Sequence, residues 1–326
     1  MKISKKTVNG KSYIYALDSI YVNRGKTIQK NKSLGPTATT TNLAEKKKDF
    51  QNYIIENETK LRIKYWHKKA SENFLSYVDL GKVENLRAKL FQLKRNTGEL
   101  GSAAMETAFL VDFIYNSNKL EGSRVPRESV VKIVRESTKE KNGEVRNTIS
   151  AISYLKQKKF KFIIKNIEEL HDILLAHEPL NLKYRKNNDV VVGNSSVSDF
   201  KNIKKELSNL LTWVNDSNYE LYPLEQAFEF YYRFERIHPF NDGNGRTGRL
   251  LMNEILKIHK YHPMIVWNKN REAHMNAFAR AIDGNKKSFH KFMVDQFIHT
   301  HELYLAKIDK AYNLDNIMHS FLEPSE

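Results

Sequence analysis

The chain has 326 residues, of which 40% are hydrophobic and 28% are charged, and it contains no cysteine. This composition is typical of a globular protein with one large or two modest domains. Without cysteine, a disulfide, a thiolate metal site and a cysteine nucleophile are all excluded. No apolar run is long enough to span a bilayer and no signal-peptide segment is recognisable, so we expect no membrane partner and a cytoplasmic location.

The formal net charge of +16 is concentrated in the first third of the chain. Residues 1–100 hold 21 Lys or Arg against 9 Asp or Glu, whereas the rest of the chain holds 33 against 29. Within residues 11–30, Tyr13, Tyr15 and Tyr21 fall at alternating positions, and Asn23 to Gly25 offer a turn. This pattern predicts a β-hairpin or small sheet, and we assign residues 1–40 to a small basic β-rich element.

Two interpretations of this basic, tyrosine-rich surface stay open. It could bind nucleic acid through phosphate contacts and base stacking. It could equally be a small sheet docked on a helical body, with half-buried tyrosines and solvated lysines. We favour the second interpretation, because no helix-turn-helix or zinc-finger spacing is present.

After a joint at Gly35-Pro36-Thr37 the chain is predicted to be mostly α, because apolar residues recur at three- and four-residue spacing. We divide it into a basic helical region (41–100), a second helical region (101–160), a core (161–300) and a C-terminal helix (301–326). The predicted helices span 44–72, 82–96, 102–118, 126–138, 144–159, 166–177, 200–215, 225–237, 271–282 and 287–299, with another from residue 246 and a last one to about residue 320.

The segment from His238 to Arg249 reads His-Pro-Phe-Asn-Asp-Gly-Asn-Gly-Arg-Thr-Gly-Arg. Gly243 and Gly245 allow the backbone to approach an anion closely and to adopt positive φ. The amides that begin the following helix lack intrahelical partners and lie at the positive end of its dipole. The segment therefore predicts a cradle for a polyphosphate.

Four side chains of this segment are candidates for the chemistry. Arg246 and Arg249 are three residues apart, so they share a helix face and can be directed at one anion. Asp242 repels phosphate at neutral pH, and we expect it to hold a Mg²⁺ that bridges phosphate and protein. His238 can accept a proton near physiological pH and is the candidate general base.

These twelve residues resemble the signature of the Fic family, His-x-Phe-x-Asp/Glu-Gly-Asn-Gly-Arg-x-x-Arg, at every defined position. The resemblance extends over about residues 105–300 and implies a Fic-type helical bundle with a β-hairpin flap over the active site. Fic enzymes typically transfer AMP from ATP to a protein hydroxyl. The resemblance therefore implies a protein adenylyltransferase that uses ATP and Mg²⁺ and modifies Ser, Thr or Tyr of a protein substrate, the chain itself included.

The resemblance also implies roles for the matching residues. His238 would deprotonate the target hydroxyl, Asp242 would hold Mg²⁺, and Arg249 would fix the γ-phosphate. Phe240 would anchor the loop in the core. The residues expected to bind the nucleotide are Phe240, Gly243, Asn244, Gly245, Arg246 and Arg249.

Residues 117–122, Ser-Asn-Lys-Leu-Glu-Gly, follow an apolar helix that Gly122 is expected to stop. They resemble the family's inhibitory motif, Ser/Thr-x-x-x-Glu-Gly/Asn, through Ser117, Glu121 and Gly122. In the family the glutamate reaches the second arginine of the signature, here Arg249. Such a pair would displace the γ-phosphate and spoil the in-line geometry of transfer. The chain thus resembles the class with an N-terminal inhibitory helix (class II).

Residues 181–196 read as a turn, a short β-run and a second turn, which predicts a hairpin. They resemble the family's flap, which pairs its edge with the target segment and so tolerates varied target sequences. A plain surface hairpin explains the stretch equally well. The residues expected to dock the target are Tyr184, Arg185, Val190, Val191, Val192 and Gly193.

Two departures from the family pattern leave the nucleobase preference open. The helix before the signature, residues 230–237, carries Tyr and Arg where many relatives have a histidine, and His274 stands where relatives often have a tyrosine. The alternatives to AMP transfer are transfer of another phosphate-containing group, and a nucleic-acid-binding regulator whose Fic site senses nucleotide. Removal of AMP in the reverse reaction is a further activity to consider, and the oligomeric state is left open.

Overall fold

The computed structural model describes residues 1–23, 26–37, 42–69, 74–96, 98–136, 142–157, 160–177, 184–192, 195–217 and 220–313. The chain divides into two units, Met1–Asn96 and Thr97–Glu326. Within the described ranges, no helix is both long and apolar enough to cross a bilayer. The prediction of a mostly α fold with a small N-terminal β element is confirmed.

The first unit is a three-stranded antiparallel sheet followed by two helices. Its strands are β1 (Lys2–Val8), β2 (Lys11–Asn23) and β3 (Lys26–Pro36), in the order β1-β2-β3, and its helices are α1 (Leu43–Trp66) and α2 (Tyr77–Asn96). The predicted pairing on either side of residues 24–25 is confirmed, although those two residues lie outside the described ranges. Strand β1 was not predicted, because it is an exposed edge strand rich in lysine and shows no apolar alternation.

Alternation along β2 separates a buried face from a half-buried face. Ile14, Ala16 and Ile20 are buried in one cluster with Phe50 and Ile54 of α1. The tyrosines at positions 13, 15 and 21 are half-buried on the other face. This arrangement is the one expected for a sheet docked on helices, and binding of nucleic acid by this unit stays a prediction.

A buried network of charges joins α1 to α2. Glu84 pairs with Arg62 and, at 3.2 Å, with Arg87, and Arg87 also pairs with Glu58. Arg62 in addition donates to the carbonyl oxygen of Val22 at 2.7 Å. Because all four charged side chains are at most 1% exposed, each needs its partners, and the network fixes how α1, α2 and β2 align.

The second unit is helical apart from one small hairpin. The hairpin pairs β4 (Val191–Val192) with β5 (Ser195–Ser196), as predicted for residues 181–196. Short 3₁₀ turns span Phe200–Asn202 and Asn268–Asn270. The helices are α3 (Gly98–Leu120), α4 (Arg127–Glu136), α5 (Gly143–Leu155), α6 (Ile164–Leu174), α7 (Ile203–Asp216), α8 (Pro223–Ile237), α9 (Asn244–Ile258), α10 (Arg271–Ile282) and α11 (Lys286–Asn313).

Helices α8 and α9 form the centre of the second unit and position the site. Almost every residue of both is buried. Helix α8 packs against α7, α9 and α11, while α3 and α6 also pack against α9. The loop between α8 and α9, residues 238–243, is thereby held at the middle of the bundle.

Three predicted helix limits are wrong. Residues 287–299 and the segment after them were expected to be separate helices, but α11 runs unbroken from Lys286 to Asn313 and so passes through the proposed boundary at 300/301. Continuous burial of Phe297, Ile298 and Tyr304 explains why the helix does not stop there. Helix α1 ends at Trp66 instead of residue 72, and α2 begins at Tyr77, ahead of the predicted residue 82.

The end of α3 has the geometry that residues 117–122 predict. Gly122 has φ of +92°. The amide of Ser123 donates to the carbonyl of Asn118, and the amide of Gly122 donates to that of Lys119. This is a Schellman C-cap, in which only glycine adopts the left-handed conformation without strain. It places Glu121 directly after the last helical residue, Leu120.

We expect Phe50→Ala to loosen the first unit, because Phe50 is fully buried in the sheet–helix cluster. Truncation of a buried phenylalanine costs about 3–5 kcal/mol. Hydrogen exchange of the β2 amides in the full chain should accelerate accordingly. Lys48→Ala, at an exposed position of the same helix, is the matched control. Equal exchange in the two variants would contradict this account of the core.

Candidate functional site

His238 ends α8 in an unusual backbone conformation. Its φ is 45° and its ψ is 62°, in the left-handed region that non-glycine residues seldom adopt. Its amide still donates to the carbonyl of Phe234, which closes the last turn of the helix. This conformation ends α8 and begins the loop. The imidazole of His238 is 16% exposed.

Arg185 stabilises this strained turn through hydrogen bonds to backbone carbonyls. Its Nε donates to the carbonyl of His238 at 2.8 Å, and its Nη2 donates to the carbonyls of Ile237 and Ser198. Its Nη1 donates to the carbonyl of Asn187 at 2.7 Å. Arg185 was predicted to dock a target, but it is 2% exposed and its guanidinium is occupied by backbone carbonyls. That expectation is therefore corrected: Arg185 ties the hairpin segment to the loop.

The loop itself is closed by Asn244 and Phe240. The Asn244 side chain accepts from the amide of Phe240 and donates to its carbonyl, at 2.9 and 2.8 Å. Phe240 is fully buried and stacks on His171, with ring centroids 3.8 Å apart. His171 also contacts the carbonyl of Asp242 through Nε2 at 2.9 Å. Phe240 thus anchors the loop as expected, whereas the Asn244 side chain braces it and leaves only the backbone of Asn244 for an anion.

The start of α9 provides a space that only small residues permit. Gly243 has φ of +75°, and a Cβ there would lie 3.1 Å from Leu175. A Cβ at Gly245 would overlap the carboxylate of Glu121. Arg246 is 6% exposed and pairs with Asp242 at 3.1 Å, while its buried Nε makes no hydrogen bond with a described residue. The cradle thus combines two closely approached glycines with an unsatisfied donor, and the amide of Gly243 donates to Oδ1 of Asp242 at 2.5 Å.

Arg249 is buried and bound on several sides. Its Nη2 donates to Oε1 of Glu121 at 2.7 Å and to the carbonyl of Ser117 at 2.9 Å, and its Nε donates to Oγ of Ser117 at 3.0 Å. Its Nη1 reaches the hydroxyl of Tyr231 at 3.4 Å. The structure therefore brings Ser117 and Glu121 to the second arginine of the signature, across 132 and 128 residues of sequence.

One cavity of about 230 Å³ brings together the sequence-predicted residues Glu121, His238, Asp242, Gly243, Asn244, Gly245 and Arg249. Its lining does not include Ser117, Phe240 or Arg246. Several of its lining residues are not in the sequence-predicted site. Tyr231 and Glu235 lie one turn apart on α8. Two polar residues at this spacing on a buried helix face are the sequence feature that could have predicted them as site residues. The additional lining residues are Leu120, Tyr231, Glu235, Asn241, Arg271, His274, Met275 and Phe278.

His238 has the protonation state that a base requires. Burial lowers its pKa from 6.5 to about 4, although the backbone carbonyl of Glu235 acts in the opposite direction. Arg185 also lowers this pKa, while the charges of Glu121 and Asp242 raise it. The imidazole is therefore neutral at physiological pH and can accept a proton.

Asp242 is placed where a metal ion could be held. Its side chain is 60% exposed and lines the cavity beside the cradle. Among the residues that the structure describes, no group of three or more His, Asp or Glu side chains could hold a metal ion. A single carboxylate next to a phosphate cradle fits Mg²⁺, which is usually bound through one or two carboxylates, substrate phosphates and water.

The predicted flap residues differ in their surroundings. Tyr184 stacks on Phe240 with ring centroids 5.7 Å apart, so it packs against the loop and does not project from it. Val190 is half-buried, and Val191 and Val192 form β4. Gly193 lies outside the described residues. The role of β4 in docking a target stays a prediction.

Comparison with known proteins identifies this region. Residues 161–256, which include the loop and both central helices, match the Fic/DOC family. Residues 161–256 are a Fic/DOC domain. The loop from His238 to Arg249, and Tyr231, lie inside this segment, whereas Ser117 and Glu121, the other partners of Arg249, lie at the end of α3, upstream of it.

The similarity to curated relatives covers more of the chain than residues 161–256. Protein adenylyltransferase Fic of Nematostella vectensis is 30% identical over 240 residues, which cover 70% of this chain and 56% of that protein. The protein of the same name from Drosophila melanogaster is 28% identical over 69% of this chain and 48% of its own length. The chain thus spans about half the length of the curated relatives that it matches.

Solved structures share the fold. A Fic domain containing signaling protein from Bacteroides thetaiotaomicron superposes with a TM-score of 0.61 at 21% identity, over 69% of this chain and 95% of that chain. Fic-1 from C. elegans gives a TM-score of 0.55 at 20% identity, over 79% and 88%. The expected Fic-type helical bundle is confirmed.

We expect His238 to stay neutral from about pH 8 down to about pH 5, because burial lowers its pKa well below that of a free imidazole. As pH falls through about 4 the ring gains a proton and loses its capacity as a base. Histidine NMR of the full chain checks this, and Glu121→Ala should move the pKa lower still, since the Glu121 charge raises it. A midpoint near 6.5 would contradict the burial argument.

We expect Arg185→Ala to destabilise the chain by about 3 kcal/mol, because it leaves buried carbonyls without donors. Arg185→Lys should recover little, since one ammonium group cannot reach carbonyls on so many sides. Denaturant unfolding and hydrogen exchange of the residues around His238 measure the effect. Lys201→Ala, at an exposed position near the same hairpin, is the control. Wild-type exchange in Arg185→Ala would contradict the bracing role.

Proposed function

We propose that this chain is a protein adenylyltransferase, which transfers AMP from Mg·ATP to a Ser, Thr or Tyr hydroxyl of a protein and is held inactive by Glu121. The observation that carries the proposal is the ion pair between Glu121 and Arg249, set in the cavity that also contains His238 and the glycine cradle. The names of the relatives support the same reaction class.

In the proposed mechanism His238 acts as the general base. Its neutral imidazole takes the proton of the target hydroxyl as that oxygen forms a bond to the α-phosphorus of ATP. The bond from the α-phosphorus to the bridging oxygen then breaks, and pyrophosphate leaves with the electron pair. Arg185 contributes indirectly, because it fixes the backbone from which the imidazole projects.

The remaining groups would bind the triphosphate and offset its charge. The amides at Gly243, Asn244 and Gly245 lie at the positive end of α9, and the unsatisfied Nε of Arg246 adds a donor. Asp242 would hold Mg²⁺, which would supply positive charge to offset that of the phosphates. Catalysis of this kind depends mainly on positioning and on electrostatic stabilisation.

The inhibition that we propose is a competition for one guanidinium. Arg249 already satisfies its donors with Ser117, Tyr231 and Glu121. A γ-phosphate could replace only the Glu121 carboxylate, which is the partner that lies above Gly245. While that carboxylate stays, the triphosphate cannot settle into the in-line geometry of transfer.

Strand β4 completes the proposed site. A target segment would pair with its edge through main-chain hydrogen bonds, which brings a hydroxyl near His238 without requiring a fixed target sequence. Tyr184 and Arg185 would support the hairpin from within, since both pack against the loop.

We expect Glu121→Ala to increase AMP transfer about tenfold, equivalent to about 1.4 kcal/mol, because Arg249 would then be available to the γ-phosphate. His238→Ala in that background should reduce transfer by about 10²–10⁴-fold, the usual contribution of a general base. Labelled ATP and cell extract provide the assay, and incubation with AMP-modified protein reports the reverse reaction. Glu128→Ala, at an exposed position of α4, is the control. Equal labelling by the Glu121→Ala protein with and without His238 would end the proposal.

A further inference from the structure

Glu235 is a buried carboxyl with no role in the mechanism described so far. It lies in the last turn of α8, three residues before His238, and its side chain is 9% exposed. The neighbouring Phe234 and Ile237 are buried apolar residues. A carboxyl group in such surroundings costs free energy unless it interacts with a partner. Glu235 lines the same cavity as Glu121, His238 and Arg249.

The side chain of Glu235 faces the imidazole. Its Oε2 lies 3.9 Å from Nδ1 of His238, about 1 Å longer than an N–H···O hydrogen bond. Oε1 of Glu235 and Nδ1 of His238 are both buried without a hydrogen bond of normal geometry to a described residue. The backbone carbonyl of Glu235 also acts on the ring and raises its pKa, so the carboxyl and this carbonyl are the two candidate acceptors for Nδ1–H.

The ionisation of Glu235 depends on its burial and on the charged groups near it. Burial raises its pKa to about 8, the charge of Glu121 raises it further, and Arg249 acts in the opposite direction. The carboxyl is therefore mostly protonated at physiological pH. The groups that line the cavity around it are Glu121 at the end of α3, Arg249 on α9, Tyr231 on α8, His238 after α8, and Arg271 and His274 on α10.

We propose that Glu235 is a positioning residue for His238, whose carboxyl accepts a hydrogen bond from Nδ1–H and so keeps Nε2 as the basic nitrogen directed at the target hydroxyl. This inference rests on the adenylyltransferase activity proposed above. A protonated carboxyl orients the ring through its carbonyl oxygen and adds no negative charge beside the phosphates. The ring orientation is set by the partner of its other nitrogen, as in other histidine bases.

The proposal predicts different results for two substitutions. In Glu235→Gln the amide oxygen accepts from Nδ1–H just as the protonated carboxyl does. In Glu235→Leu the size is similar but the acceptor is lost. If Glu235 only filled space, Glu235→Leu should be tolerated at least as well as Glu235→Gln, because leucine suits a buried position. A loss of activity in the Leu variant alone therefore indicates that the acceptor atom matters.

The kinetic test measures AMP transfer by the full chain in the Glu121→Ala background, across pH. We expect Glu235→Leu to lower kcat about tenfold with little change in KM for ATP, and Glu235→Gln to retain kcat within about threefold. With Glu235 present, transfer should fall towards alkaline pH as the carboxyl ionises beside the phosphates, and Glu235→Gln should abolish that fall. Because the charge of Glu121 raises the pKa of Glu235, the fall should begin at lower pH in the Glu121→Ala background than it would with Glu121 present. A Leu variant as fast as its parent, or an alkaline fall that persists in the Gln variant, would overturn the proposal.

A second measurement is independent of activity. Histidine NMR of the full chain reports which ring nitrogen of His238 carries the proton. The share of the Nδ1–H form should drop in Glu235→Leu and be kept in Glu235→Gln, and an unchanged share in Glu235→Leu would overturn the positioning role. If the Glu121→Ala protein transfers no AMP at all, the adenylyltransferase proposal fails while this measurement still decides the role of Glu235.

Discussion

The site depends on one buried guanidinium. Arg249 is 2% exposed, and its donors are directed at Ser117, Tyr231 and Glu121, which come from α3 and α8. A charge in this position must be paired, because an unpaired buried charge is strongly destabilising. Resident partners therefore hold Arg249 when no nucleotide is bound, and the carboxylate is the one of them that an incoming anion can replace. The proposed inhibition follows from this requirement, which would also make Arg249 a phosphate ligand in the proposed reaction.

The loop between α8 and α9 shows how a strained conformation is maintained. His238 has positive φ without being a glycine, a conformation that costs free energy and persists only where its surroundings determine it. Arg185 bonds the carbonyl of His238, and Asn244 bonds the backbone of Phe240 on both sides. The base is thus fixed by backbone contacts on either side of it, and its own side chain stays available for chemistry.

Much of this arrangement was predictable from sequence, because glycines, a helix stop and paired arginines are local signals. The helical core, the hairpin at 191–196 and the segment carrying Glu121 follow from such signals. The burial of Arg185 does not, since three of its partners are backbone carbonyls 13 to 53 residues away, and a carbonyl has no residue signature. Glu235 was missed for a similar reason: one acidic residue in a mixed helix shows its importance only once the buried face is known. The edge strand β1 and the continuity of α11 depend on tertiary contacts in the same way.

The absence of a side chain at position 245 has a wider implication. The carboxylate of Glu121 fills the space beside this glycine, and under the proposed function a phosphate would occupy the same space during turnover. A larger residue at position 245 would exclude both occupants, so it would remove the proposed inhibition and the proposed reaction together. Loss of the inhibition alone would instead require a change at Glu121 or at the contacts that place it.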